Sequence, residues 1–108
     1  MVNFEAVQDA IPELKGDHHQ VVVVGYPLPC PGTNNALNAI NMHPRWKGKS
    51  VMVEIPRHEV DSVVRTPLGY HGTMPMVFVR DSNGQMEHVG GGSDLLNMAR
   101  SELEPQYV

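Results

Sequence analysis

The side chain best suited to chemistry in this chain is its single cysteine, Cys30, in the stretch Val21 to Ala36, VVVVGYPLPCPGTNNA. Pro31, a residue favoured at the first helical position, follows it, and Thr33, Ala36, Leu37 and Ile40 then recur at helical spacing. The spacing therefore predicts a thiol at a helix N-terminus. There the unpaired backbone N–H groups and the positive end of the macrodipole favour thiolate over thiol, which makes the sulfur nucleophilic at neutral pH. The plain alternative is a small buried hydrophobe, a common fate of a lone cysteine, and this stretch by itself supports both. Two other groups invite a chemical reading. His18 and His19 are adjacent, but neighbours in sequence do not share a helix face and no Cys or carboxylate cluster accompanies them, so they read as a solvated turn and no metal is expected. The lone tryptophan, Trp46, stands beside a helix end and reads as the cover of a core edge rather than a ligand platform.

Whatever positions the thiol must come from the flanking elements. Val21 to Val24 carry no polar alternation, as in a strand buried on both faces, and Gly25, Pro27 and Pro29 end it. Ahead of it, Phe4, Val7, Ile11 and Leu14 predict an amphipathic helix with Asn3 as a cap. Pro12 should stop or kink that helix near Ile11, and Gly16 closes the segment. After the cysteine helix, Met42-His43-Pro44 ends it, Gly48 turns the chain, and Val51 to Ile55 form a second strand. Val60, Val63 and Val64 have helical spacing, although valine is a reluctant helix former and a strand is the alternative.

The last third predicts a hairpin: strand Met76 to Val79, a tight turn Asp81-Ser82-Asn83-Gly84, and strand Gln85 to Val89. Gly90-Gly91-Gly92 lets the backbone bend, Ser93 reads as an N-cap, and Leu95, Leu96, Ala99 and Leu103 form the apolar face of a closing helix. A right-handed βαβ unit followed by a connecting helix and ββα is the order of the thioredoxin-like fold. That fold is an α/β three-layer sandwich with helices on both faces of a four-stranded mixed sheet.

Composition narrows the partners. The 108 residues suit one domain over 1–108, with residues 1–20 an extra N-terminal helix and turn, and 41% apolar content suits a packed core. A formal charge of −4 with scattered Lys and Arg gives no basic stripe, so neither nucleic acid nor an acidic membrane is expected as a partner. No apolar run approaches the roughly 20 residues that span a bilayer, and MVNFEAVQDA lacks the pattern of a signal peptide. One cysteine fits a reducing cytoplasm, and a monomer is expected.

Two motifs add a family resemblance. Thr73-Met74-Pro75-Met76-Val77-Phe78-Val79 resembles the glutaredoxin motif T-V-P-x-V-F-I, and Val89-Gly90-Gly91-Gly92-Ser93-Asp94-Leu95 resembles its I-G-G-x-D-D-L. They follow, in the family's order, a Cys-Pro-x-x helix start similar to C-P-Y-C and its one-cysteine variants. The resemblance spans roughly Val21 to Leu103. It implies that Cys30 is the nucleophile and that the bond before Pro75 is cis, so that Met74 offers its backbone N–H and C=O to the cysteinyl part of glutathione. Gly92, Ser93 and Asp94 match the turn that holds the γ-glutamyl end. Free N–H groups at a helix N-terminus suit its carboxylate, and an Asp side chain suits its ammonium.

The chain departs from the family in three places. The second cysteine of C-x-x-C is Thr33, so no internal disulfide can form, and the Thr33 hydroxyl is left to donate a hydrogen bond to the Cys30 thiolate. The Lys common before the Pro of K-P-x-C is Tyr26, in a loop one residue longer, and Tyr26 is carried among the glutathione-binding positions. Arg65 or His71 could instead receive the glycyl carboxylate. One-cysteine members that hold an iron–sulfur cluster usually read C-G-F-S, and Pro31 stiffens the turn where glycine would let a cluster approach.

The resemblance thus implies a glutathione-dependent thiol transferase that uses glutathione as co-substrate and acts on glutathionylated proteins. The readings set against it are a redox-inactive adaptor that binds a protein partner and a glutathione-ligated iron–sulfur carrier. If the helix terminus and Thr33 stabilise the thiolate, Cys30 should titrate well below the free-cysteine value of about 8.5. Iodoacetamide reactivity followed against pH measures this, and an onset only near the free value favours the adaptor.

Overall fold

The computed structural model describes residues 4–15, 19–25, 31–60, 62–63, 66–69 and 75–103. In chain order these form α1 (Phe4–Ala10), β1 (Val21–Gly25), α2 (Pro31–Met42), β2 (Ser50–Glu54), the short helices α3 (Arg57–Val60) and α4 (Thr66–Leu68), β3 (Met76–Arg80), β4 (Met86–Gly90) and α5 (Gly92–Leu103). The sheet order is β2-β1-β3-β4, with β1 parallel to β2 and antiparallel to β3, and β3 antiparallel to β4. This is the four-stranded mixed sheet of the thioredoxin-like α/β fold, in the βαβ then ββα order that the sequence predicts.

Every residue of β1 is buried, because the strand lies inside the sheet and has a helical layer over each face. Successive side chains of a strand point to opposite faces. Val22 and Val24 accordingly join Val7, Ile11, Leu14, Val60, Met76 and Phe78 in one apolar layer. Val21 and Val23 join Ala36, Ala39, Ile40, Trp46, Leu95 and Ala99 in the other. At roughly 1.5–3 kcal/mol for each fully buried Val-sized side chain, the strand is a main source of cohesion for both layers.

Pro12 shapes the N-terminal segment as its chemistry requires. Ile11, held out of the helical region at φ −125° and ψ 84°, ends α1, and a 3-10 turn over Pro12–Leu14 follows. The Ile11 N–H still donates to the Val7 carbonyl at 2.8 Å. Val7, Ile11 and Leu14 are fully buried, so this segment closes one face of the sheet although it precedes the motif-bearing stretch.

The apolar stripe of α2 differs from the expected one. Ala36, Ala39 and Ile40 are buried while Leu37 is 41% exposed. The helix turns its small residues inward, where α5 brings Leu95 and Ala99 into the same layer, and a narrow Ala stripe permits that approach. Its C-terminus is closed by His43, whose carbonyl accepts the N–H groups of Trp46 and Lys47, both at 3.0 Å. Trp46 is 1% exposed and stacks on the His43 ring at 3.9 Å between centroids. Glu102 of α5 reaches the same place, 2.9 Å from Arg45 Nη2 and 3.4 Å from His43 Nε2.

The second strand is set one residue earlier than expected, with Ile55 buried just beyond its end. Val60 lies in α3 and Val63 in a further helical turn, and Val64 lies outside the described residues. The hairpin turn forms as its sequence dictates. Asp81 Oδ1 accepts the N–H groups of Asn83 and Gln85 at 2.9 Å each, and Gly84 takes φ +84°, which other residues rarely adopt. Among the described residues no helix is long and apolar enough to cross a membrane.

Because Trp46 fills a buried position between α2 and the sheet, Trp46→Ala should cost about 3–5 kcal/mol in urea denaturation. Asp9→Asn, which removes only the exposed ion pair to Lys15, should cost under about 1 kcal/mol in the same experiment.

Candidate functional site

Thr33, Pro75, Gly92, Ser93 and Asp94 fall within the described residues. Tyr26, Cys30 and Met74 lie outside them, as do Arg65, His71 and the Met74–Pro75 bond expected to be cis. In the chain Cys30 directly precedes Pro31, the first residue of α2.

The described residues converge on one corner of the molecule. A methyl carbon on Gly25, the last residue of β1, would stand 3.6 Å from Pro75 Cβ and 3.8 Å from Thr33 Oγ1. The end of β1, the residue leading into β3 and the first turn of α2 therefore meet there. Gly91 belongs to the same corner, since a methyl carbon on it would lie 3.5 Å from the Pro75 carbonyl oxygen. Gly92 presses its backbone against the Gly32 carbonyl so closely that any Cβ would overlap that group and come within 3.2 Å of the Ala36 nitrogen. Asn35 Nδ2 donates to Ser93 Oγ at 3.4 Å across the same contact.

These contacts set the first turns of α2 and α5 side by side, while the Arg45–Glu102 pair joins their other ends. Two 12-residue helices thus lie parallel with both positive dipole ends at one corner. Such an end, with its free N–H groups, favours a negative charge by about 0.3–1 kcal/mol per helix. A thiolate or a carboxylate is among the anions such a corner suits.

The local geometry corrects one expectation. Ser93 is not the N-cap of α5, because the Leu95 N–H donates to the Gly91 carbonyl at 3.1 Å, which puts Gly91 at the cap. Asp94 then stands at the third helical position, and its Oδ2 accepts the Gly91 N–H at 2.8 Å, the returning half of a capping box. The glycines allow the helix to start early, leaving Ser93 exposed in the first turn, where its hydroxyl meets Asn35.

A bulge sets up this turn. Val77 pairs with Gly90 and Phe78 with His88, so Val89 is the extra residue on β4 immediately before the glycines. Gly90 takes φ +124°, and a side chain there would strike the Asp94 carboxylate. His88 packs its ring 5.3 Å from that of Phe78. Burial lowers the His88 pKa from its ordinary value, while a backbone hydrogen bond to Gly90 and the Asp94 carboxylate act in the opposite direction.

The sequence reading did not single out Gly32, Asn35 or His88. For Gly32 the available signal was a helix-destabilising glycine in a first turn, matched by a second glycine cluster before another helix. A groove of about 650 Å³ lies at the far end of β3, lined by Glu5, Asp9, Lys15, Arg80, Gln85 and Met86 among others. It is separate from this corner.

No protein-family model matches the chain, and no curated protein sequence matches it. Among solved structures, the crystal structure of oxidized glutaredoxin 2 from Chlamydomonas reinhardtii is similar, with a TM-score of 0.61 and 23% identity. The match covers 94% of this chain and 89% of that one, so it reaches beyond the Val21 to Leu103 stretch that carries the motifs. At this identity the likeness is one of fold.

If the Gly32–Gly92 contact sets the corner, Gly92→Ala should destabilise the protein by about 1–3 kcal/mol, since backbone rather than a movable side chain must give way. Gly91→Ala meets only ordinary van der Waals contact and should change stability by less than about 0.5 kcal/mol. Thermal and denaturant unfolding of the two variants compares them.

Proposed function

We propose that the chain is a glutathione-dependent thiol–disulfide oxidoreductase that reduces protein–glutathione mixed disulfides by a one-cysteine route. The observation that carries this reading is the pairing of the α2 and α5 N-termini beside Pro75, directly after the only cysteine in sequence. The glutaredoxin-type fold and the Thr-Met-Pro and Gly-Gly-Gly-Ser-Asp motifs support it.

In this reading the Cys30 thiolate attacks the glutathionyl sulfur of a mixed disulfide. The Cys30–glutathione S–S bond forms as the bond to the substrate protein breaks, and the protein sulfur leaves as thiolate and takes a proton from water. The thiolate of a second glutathione then attacks the bound glutathionyl sulfur, releasing glutathione disulfide and restoring the Cys30 thiolate. Both electrons come from glutathione, and no metal takes part. Thr33 donates its hydroxyl to the thiolate. Met74 offers its backbone edge to the cysteinyl part of the ligand, Pro75 shapes that edge, and Tyr26 is counted among the glutathione-binding residues. Gly92 and Ser93 present helix-terminal N–H groups to the γ-glutamyl carboxylate, and Asp94 holds the adjacent ammonium. The protein would act in the cytoplasm as a monomer on glutathionylated protein substrates.

Paired assays test this. Wild type should deglutathionylate a model protein and reduce a protein disulfide poorly. Cys30→Ser should fall to background in the first assay, and Thr33→Ala should lose roughly fivefold, the equivalent of one hydrogen bond worth about 1 kcal/mol. Thr33→Cys should gain disulfide reduction, because three-residue spacing on the first helical turn puts both sulfurs on one face. Equal activity of wild type and Cys30→Ser would refute the enzyme and leave an adaptor that uses the same fold to hold a partner protein.

A further inference from the structure

The sheet ends in two different edges. On β4 the bulge at Val89 interrupts the pairing, a device that blunts an edge. On the other side β2 keeps unbroken register with β1, from Val21 and Ser50 to Gly25 and Glu54, and no strand among the described residues lies beyond it. The Ile55 N–H donates inward to the Gly25 carbonyl at 2.9 Å. Alternate residues of a strand direct their backbone groups to opposite sides, so those of Ser50, Met52 and Glu54 point outward, open to a further strand.

Side chains give this edge a direction. At its middle, Met52 and Leu37 of α2 are 38% and 41% exposed, and with Val23, Ile40 and Ser50 they line a groove of about 240 Å³. Lys47 and Lys49 stand before the strand and Glu54 at its end. All three are exposed and make no ion pair among the described residues. Glu54 is also the register partner of Gly25, around which Pro75 and Thr33 pack at the corner. The edge therefore leads from two cations, past an apolar groove, to a carboxylate beside the candidate site.

We propose that β2 receives an extended segment of the glutathionylated substrate protein as a fifth strand, antiparallel to it, so that substrates are selected by the residues that follow the modified cysteine. This rests on the glutathione reading above. Antiparallel pairing is the more stable arrangement, and it brings the start of the segment to the corner, because β2 ends there. Residues directly opposite in such a pair share a sheet face. The segment thus presents a basic side chain to Glu54, an apolar one to Met52 and the groove, and an acidic one opposite Ser50, on the side of Lys49 and Lys47. The added strand lies two spacings, about 10 Å, from β1, a distance that about three extended residues span, so the cysteine stands about three residues ahead of the basic position.

The test uses synthetic peptides glutathionylated on one cysteine, with basic, apolar and acidic residues at alternate positions after it, in that order or with the two charges exchanged. Wild-type kcat/KM for deglutathionylation should be roughly tenfold higher for the first order, about threefold from each end. The triple variant Lys47→Glu, Lys49→Glu, Glu54→Lys should prefer the exchanged order. It should keep wild-type activity on the mixed disulfide of free cysteine and glutathione, which has no segment to dock. Hydrogen exchange gives a second readout: with the first peptide, carrying serine in place of cysteine, at saturation, the Met52 and Glu54 N–H groups should exchange roughly fivefold more slowly, one net hydrogen bond each. Equal kcat/KM for the two orders in wild type, an unchanged preference in the triple variant, or Met52 and Glu54 amides unaffected by peptide overturns the strand-addition site alone. No turnover of the cysteine–glutathione disulfide by wild type overturns the glutathione reading itself, and this inference with it.

Discussion

The corner on which this chain's chemistry would depend is held by a contact between two backbones. Gly92 lies against the Gly32 carbonyl with no space for a Cβ on Gly92, so α5 can approach α2 only because that position has no side chain. Everything at the corner follows from that approach. It brings Ser93 to Asn35, stations the Gly91 cap beside Pro75, and sets two helix N-termini side by side. At their far ends the helices are joined by Arg45 and Glu102, with His43 buried beneath and stacked on Trp46. The pair therefore forms one layer whose positive end lies at this corner.

The sheet supplies what the helices cannot. Because β1 is buried on both faces, its end at Gly25 is fixed by both apolar layers at once, and Pro75 and Thr33 pack around it. Antiparallel β3 starts beside the point where β1 stops, so a central strand and its neighbour deliver a turn and a helix start to one place. The bulge at Val89 and the positive φ of Gly90 then redirect β4 into α5 within a few residues. A regular hairpin would not bring Gly92 onto Gly32.

Much of this architecture was legible in the sequence, because it rests on local rules. The valine run marked the inner strand, Pro12 marked the end of α1, Asp81 to Gly84 marked the hairpin turn, and Leu95 with Ala99 marked the buried face of α5. The candidate residues Thr33, Pro75, Gly92 and Asp94 were singled out through motif resemblance, and the structure brings them to one corner. What escaped depended on distant partners. Leu37 has the right period for burial, yet the approach of α5 selects Ala36 and Ala39 instead. The capping role passed from Ser93 to Gly91 because Asp94 reaches back to a backbone N–H that composition does not reveal. Asn35 and Ser93, 58 residues apart, carry no local signal that they meet.

The central claim is that the paired helix ends form a binding corner for glutathione, and mapping by NMR tests it most directly. In a ¹⁵N-labelled sample titrated with reduced glutathione, the amides of Thr33, Asn35 and Gly91 to Asp94 should shift together along one saturable curve. The amides of Trp46 and Lys47, at the opposite end of the helix pair, should stay still. Shifts confined to the groove beside Asp9, Lys15 and Arg80, or no saturable shift at all, would contradict the account.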